Sequence, residues 1–192
     1  MGPVLLCLVV LWVVFGAQIL GQQLGWALTE RLGLVPRSIA QAHGILTAHL
    51  LHGSLDHIIA NSIALATTGL ACRWALPNLL AAACLSSAVG AGILAWIVAS
   101  TGSLHLGASG IAFGLVAFLI VAALVRGEWR VMLMGLLIAL IYGGSWILLL
   151  PGEATSSQRI SWEMHLGGAI GGAACAWATR RIERTPPPAG ER

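Results

Sequence analysis

Apolar residues in this chain come in long unbroken blocks, not at alternate positions. Charges and turn residues divide it into six such blocks, at about 3–20, 52–72, 76–100, 104–125, 131–150 and 160–179. A helix rises about 1.5 Å per residue, so about 20 residues cross about 30 Å of hydrocarbon. Most of the blocks meet that length. The second is cramped between Asp56 and Arg73, so its helix is expected to start upstream near His52 or to lie in locally thinned bilayer. The pattern predicts an all-α fold, a polytopic six-helix membrane bundle over residues 1–184.

The first block lacks a basic leading region, and Gln18, Gln22 and Gln23 follow it without a small-x-small cleavage pattern, so it is expected to be a retained helix rather than a signal peptide. Residues 21–43 mix Leu24, Trp26, Leu28, Leu32 and Leu34 with polar residues. That segment is too short and broken to cross, and it reads as an interfacial loop on the outer face with Trp26 at headgroup level. Residues 185–192, with Pro186, Pro187 and Pro188, read as a disordered cytoplasmic tail.

Composition agrees with the blocks. Hydrophobic residues are 58% and charged residues 9% of 192, and mean hydropathy is +0.89. A soluble domain of this size needs far more polar surface. Ten arginines, no lysine and seven acids give a net charge of +3, too small and scattered for a nucleic-acid footprint. Cys7, Cys72, Cys84 and Cys175 lie in or beside apolar blocks without Cys-x-x-Cys spacing, and read as small buried hydrophobes.

Arginine placement sets an orientation. Arg73, Arg126, Arg130, Arg180, Arg181, Arg184 and Arg192 follow blocks two, four and six, whereas Arg31, Arg37 and Arg159 fall on the other side. The excess marks the first group as cytoplasmic, with both termini inside, as an even number of spans also requires. A plasma membrane is therefore expected. Richness in Ala, Gly, Leu and Arg without lysine suggests a bacterial inner membrane.

Blocks two, four and six then run from outside to inside, each with its unusual polar residues in the outer half. His57 precedes Arg73 by 16 residues, Ser109 precedes Arg126 by 17, and His165 precedes Arg180 by 15. Those counts put all three roughly 22–26 Å above the inner anchors, within one helical turn of each other. Asn61 lies one turn from His57 on the same face. Polar groups at that depth must face a bundle interior or a hydrated cavity, which makes them functional candidates. Taken singly, a membrane serine or histidine is more often a packing or hydrogen-bonding residue. The small residues around them favour the combination. Gly107 and Gly110 flank Ser109, and Gly168 and Gly172 lie at +3 and +7 from His165, letting another backbone approach. Ser109 on block four can therefore meet His165 on block six. His43, His49, His52 and His57 lack carboxylate or thiolate partners at suitable spacing, so no metal site is expected.

These residues resemble the rhomboid family of intramembrane serine proteases. Gly107-Ala108-Ser109-Gly110 matches the family's Gly-x-Ser-Gly, His52, His57 and Asn61 match its His/His/Asn signature on the second span, and His165, Gly168 and Gly172 match its His-x-x-Gly-x-x-x-Gly. All occur in the family's order, over nearly the whole chain. The resemblance implies a rhomboid-like six-transmembrane bundle and a Ser-His dyad that needs no cofactor. Ser109 would be the nucleophile and His165 the base, then the acid. His57 and Asn61 would face the oxyanion together with the Ser109 backbone N–H. Phe113 falls where the family often stacks an aromatic on the histidine, and simple core packing is the competing reading. His52 is expected to support the loop or a water route. Glu163, two residues from His165, points to another face. The implied partners are transmembrane protein substrates and membrane lipid. Entry would be gated by the fifth span and the loop at 151–160. Better-known members carry a Trp-Arg pair in a longer first loop, for which Trp26 and Arg31 are the candidates here. Two alternatives stay open. One is a catalytically silent relative that binds membrane clients. The other is a small transporter or channel, against which stand the lack of an inverted repeat and of acids in the polar layer beyond Asp56.

Overall fold

The computed structural model describes residues 2–150 and 161–182. Its helices in chain order are α1 (Gly2–Gln23), α2 (Leu28–Leu32), α3 (Gly44–Thr47), α4 (Leu55–Ala75), α5 (Leu80–Val98), α6 (Ser109–Arg126), α7 (Trp129–Tyr142) and α8 (Trp162–Ala178). Helices α2 and α3 are single-turn pieces of the segment joining α1 to α4. The other six pack as an all-α bundle, and among the described residues no β-sheet forms beyond one bridge between Leu34 and His105. The expected loop at 151–160 and tail at 185–192 lie outside the described residues.

Helices α1, α4, α5 with its leading turn, and α6 are each long and apolar enough to cross a membrane. Helix α7 has 14 residues, about 21 Å at the α-helical rise, and the tight 3₁₀ turn Gly143–Leu149 extends it by about 14 Å. Helix α8, with 17 residues, spans about 25 Å. Large apolar side chains such as Leu5, Val13, Leu124 and Leu140 are exposed around the bundle, as a lipid-facing surface requires.

Three expected boundaries shift, each for a local reason. Helix α4 starts at Leu55, not near His52. Ser54 is extended and its side chain accepts the His57 N–H at 3.2 Å, an N-cap that ends the preceding loop and leaves His52 outside the helix. Helix α6 starts at Ser109 itself, because residues 104–107 are not helical, Gly107 takes φ +117°, which no helix tolerates, and Ala108 makes the turn into the helix at φ −82° and ψ 0°. The fifth span ends its α-helix at Tyr142, where Gly143 and Gly144 give way to the tighter turn.

Helix α8 sits between α5 and α6 with glycines on both faces. A Cβ on Gly168 would collide with the Gly110 carbonyl and one on Gly172 with the Gly114 carbonyl, while Gly167 and Gly171 press against α5. Backbones this close hold the start of α6 against the first turns of α8. At the opposite, arginine-bearing end, buried Arg126 donates to the carbonyls of Thr179 and Ile182 and pins the end of α6 to the end of α8. Nearby, Trp74 and Trp129 meet edge to face under Arg130, tying α4 to α7.

Side chains other than the two expected hold the segment between α1 and α4 onto α5. The Trp26 ring is exposed, and Arg31 enters only through its carbonyl, bound by His43. Arg37 instead donates to the carbonyls of Ile97 at 2.8 Å and Ala99 at 2.7 Å and to the Thr101 hydroxyl at 2.6 Å, and Trp96 Nε1 donates to the Ser38 carbonyl at 3.4 Å. The guanidinium thus caps the C-terminal end of α5, where free carbonyls and the helix dipole favour a cation. Buried Gln18 on α1 accepts the His52 N–H at 3.0 Å and donates to the His52 carbonyl at 3.3 Å, so α1 holds the loop before α4.

Candidate active site

Gly107 explains why the nucleophile loop comes so close to α4. A Cβ there would lie 2.7 Å from Cε1 and Nε2 of His57 and 3.4 Å from Nδ2 of Asn61. With no side chain, the backbone passes directly over both, and at φ +117° the chain turns into α6. The Gly107 N–H donates to the Ala48 carbonyl at 3.0 Å, which pins the turn to the segment before α4. Ser109 is then the first residue of α6, so its own N–H lies in the first turn, where amides have no intrahelical acceptor.

His165 lies in the first turns of α8, with its Nε2 2.8 Å from the Ser109 hydroxyl. Its other ring nitrogen, Nδ1, is 3.0 Å from the main-chain carbonyl of Leu148, in the tight turn after α7. A carbonyl can only accept, so Nδ1 carries the proton and Nε2 presents a lone pair to the serine O–H. That is the tautomer a general base needs. Phe113, one turn into α6, stacks on the imidazole at 4.4 Å between centroids and 21° between planes. Serine, phenylalanine and main-chain carbonyl thus hold the ring from three directions.

His57, Asn61, Ser109, Phe113, Tyr142 and His165 border one cavity of about 560 Å³. Asn61 is buried, and its Nδ2 has no hydrogen-bond partner among the described residues. Leaving a buried donor unpaired is costly, so the group fits a site that meets its acceptor only when occupied. Below this polar layer the cavity wall is apolar, formed by Ala60, Ala64, Ala112 and Val116. Tyr142 closes it toward α4, its hydroxyl 2.5 Å from that of Thr67.

The structure therefore brings Ser109, His165, His57, Asn61, Gly107 and Phe113 together, with Gly110 and Gly168 at the helix contact just beneath. His52 stands apart. It is buried edge-on to His57 at 5.1 Å and outside the cavity lining, and neither ring nitrogen has a partner among the described residues. Glu163 approaches Ser161, with Oε2 3.2 Å from the hydroxyl, and His165 is paired elsewhere. His43 binds the Arg31 carbonyl at 2.8 Å, and buried His49 binds the Ala88 carbonyl at 2.9 Å. Sequence reasoning missed the Leu148 carbonyl, because a main-chain acceptor has no side-chain signature. It also missed His105, which hydrogen-bonds Ser103 and Ser161; only its position four residues before Ser109 could have drawn notice.

The Rhomboid domain profile matches residues 40–182. Uncharacterised proteins of Mycobacterium bovis and Mycobacterium tuberculosis are each 32% identical over 191 residues, covering 90% of this chain and 78% of theirs. An uncharacterised protein of Mycobacterium leprae is 33% identical over 148 residues, covering 73% of this chain and 57% of its own length. A helical membrane bundle whose Rhomboid domain takes in all of α3 to α8 belongs to the rhomboid family.

Proposed function

We propose that the protein is an intramembrane serine endopeptidase that hydrolyses peptide bonds in or near transmembrane segments of other membrane proteins. The single observation behind this reading is the line from the Ser109 hydroxyl to His165 Nε2 at 2.8 Å and from Nδ1 to the Leu148 carbonyl at 3.0 Å. It supplies a nucleophile, a base in the right tautomer and an orienting acceptor without a carboxylate. The third place of a triad can be filled by whatever fixes the ring.

In the proposed reaction His165 Nε2 takes the Ser109 proton as the hydroxyl oxygen attacks the scissile carbonyl. The carbonyl oxygen becomes an oxyanion, facing the Ser109 N–H, His57 and the unpaired Nδ2 of Asn61. Donors aimed at such charge are worth about 10²–10³ in kcat each. Collapse breaks the C–N bond, and His165 passes its proton to the leaving amine. Water then attacks the acyl carbon as His165 Nε2 takes its proton. The second collapse breaks the bond to Ser109 Oγ, His165 returns the proton to that oxygen, and the acyl group leaves as a carboxylic acid. The base contributes about 10²–10⁴.

Arg73, Arg126, Arg130, Arg180 and Arg181 mark the far end of the bundle as cytoplasmic by the positive-inside rule, so the cavity would open toward the other face. In this reading a substrate helix enters sideways past α7. Its end must unwind there, because an intact helix keeps its carbonyls bonded. Reconstitution in liposomes with a model single-span substrate tests the proposal. Wild type should cut near the non-cytoplasmic end of the substrate span, and Ser109→Ala and His165→Ala should not. Cleavage that survives Ser109→Ala would overturn it.

A further inference from the structure

His105 is the most connected residue near the cavity that the proposed chemistry leaves idle. It lies four residues before Ser109, and Ser161 lies four residues before His165. His105 Nδ1 is 2.7 Å from the Ser161 hydroxyl, so a second His–Ser contact, with the roles of the two segments exchanged, sits beside the Ser109–His165 pair. Both His105 and Ser161 border the cavity.

We propose that His105 is a positioning residue which, through Ser161, clamps the nucleophile loop at 103–108 onto the first turn of α8 and thereby sets the Ser109–His165 separation. The inference rests on the protease reading above.

Each end of the clamp is itself anchored. His105 exchanges two main-chain hydrogen bonds with Leu34, at 2.9 and 3.0 Å, so the loop cannot slide along its own direction. Its Nε2 is 2.7 Å from Ser103 Oγ, whose hydrogen goes to the Ser100 carbonyl at 2.6 Å. Ser103 therefore accepts, and the ring donates from Nε2. On the other side Ser161 is the N-cap of α8. Its oxygen accepts the Met164 N–H at 3.3 Å, and it lies 3.2 Å from Glu163 Oε2. With Nε2 donating, Nδ1 accepts the single Ser161 hydrogen at 2.7 Å, and Glu163 Oε2, at 3.2 Å, is the more distant competitor for it. His105 and Glu163 are each only 9% exposed, so the contact forms away from competing solvent. A residue inside the loop and the N-cap of α8 thus meet at one hydroxyl, four residues before Ser109 on one segment and four before His165 on the other.

The test uses the full-length protein in detergent or liposomes. His105→Ala and Ser161→Ala should each lower kcat about tenfold with KM within about twofold, since displacing a reacting group by a fraction of an ångström acts on the chemical step. The double variant should lose little more than either single, as members of one unit do. An Asn side chain places its amide near the ring's Nδ1 and a Gln side chain near Nε2. His105→Asn should therefore recover most of the rate, and His105→Gln should not. Hydrogen exchange supplies a readout independent of turnover, and Ser161→Ala should speed exchange at 103–108, on the other element. Rescue by Gln instead of Asn, multiplicative losses in the double variant, or a change in KM with kcat intact would each overturn the clamp. A wild type that cuts nothing would defeat the protease reading, and unchanged exchange at 103–108 in Ser161→Ala would separately defeat the clamp.

Discussion

His165 Nδ1 donates to the main-chain carbonyl of Leu148 across 3.0 Å, which joins the ring beside Ser109 to the turn that follows α7. The orienting group is thus a backbone atom in the turn that follows the helix past which substrate is proposed to enter, and the base is correctly set only when that turn is in place. Leu148→Ala keeps the carbonyl and should leave kcat within about threefold, whereas Leu149→Pro drives residue 148 toward extended backbone and should lower kcat at least about tenfold. Steady-state kinetics on a single-span substrate read both. Equal effects of the two changes would remove the carbonyl from the account.

Asn61 offers a buried amide with no partner among the described residues. Asn61→Ala should lower kcat by about 10²–10³ with KM little changed, because the donor acts on charge present only in the transition state. Thermal stability should hold, since no bond of that Nδ2 in the resting site is lost. His57→Ala should act in the same direction.

Phe113 covers one face of the His165 ring at 4.4 Å. A stacked pair is worth about 0.5–1.5 kcal/mol beyond area, so Phe113→Leu should slow turnover roughly 2- to 13-fold while Phe113→Tyr stays near wild type. If leucine matches wild type, the phenylalanine is core packing only.

Arg37 caps α5 with two carbonyls and a hydroxyl and holds the segment between α1 and α4. Arg37→Ala should cost about 1–3 kcal/mol, seen as a lower melting temperature in detergent. Trp26→Ala, at an exposed ring, should change stability by under about 0.5 kcal/mol. The reverse ranking would restore Trp26 as the loop's anchor.

Burial pushes His52 down from 6.5 to about 4, with neighbouring His57 adding to the effect. The unfolded chain then binds a proton that the folded chain refuses. Stability is fully present above pH 6.5 and is lost as pH falls toward about 4. Burial also lowers His49 and His105, so His52→Gln should flatten the acid limb of a melting-temperature profile only in part. An unchanged limb would place the titration elsewhere.

The parts of the site legible in the sequence are those fixed by helical periodicity and by small residues. Ser109, His165, His57 and Asn61 share a depth that can be counted from the arginines, and Gly168 and Gly172 mark where α8 must touch α6. What stayed hidden depends on backbone conformation. Ser54 ends the loop before α4, so His52 falls outside the helix, and Gly107 delays α6 until Ser109 is its first residue. The Leu148 acceptor has no side-chain signal at all. Arg37 and Trp96 are far apart in sequence and meet only because the first loop folds over the end of α5, so nearby Trp26 and Arg31 drew attention instead.

The most direct measurement of the central claim is intact-mass and peptide mapping of the protein after reaction with a serine-reactive fluorophosphonate. The pairing of Ser109 with His165 predicts a single adduct on the Ser109 peptide, absent in Ser109→Ala and strongly reduced in His165→Ala. An adduct at any other serine, or undiminished labelling of Ser109 when His165 is gone, would contradict it.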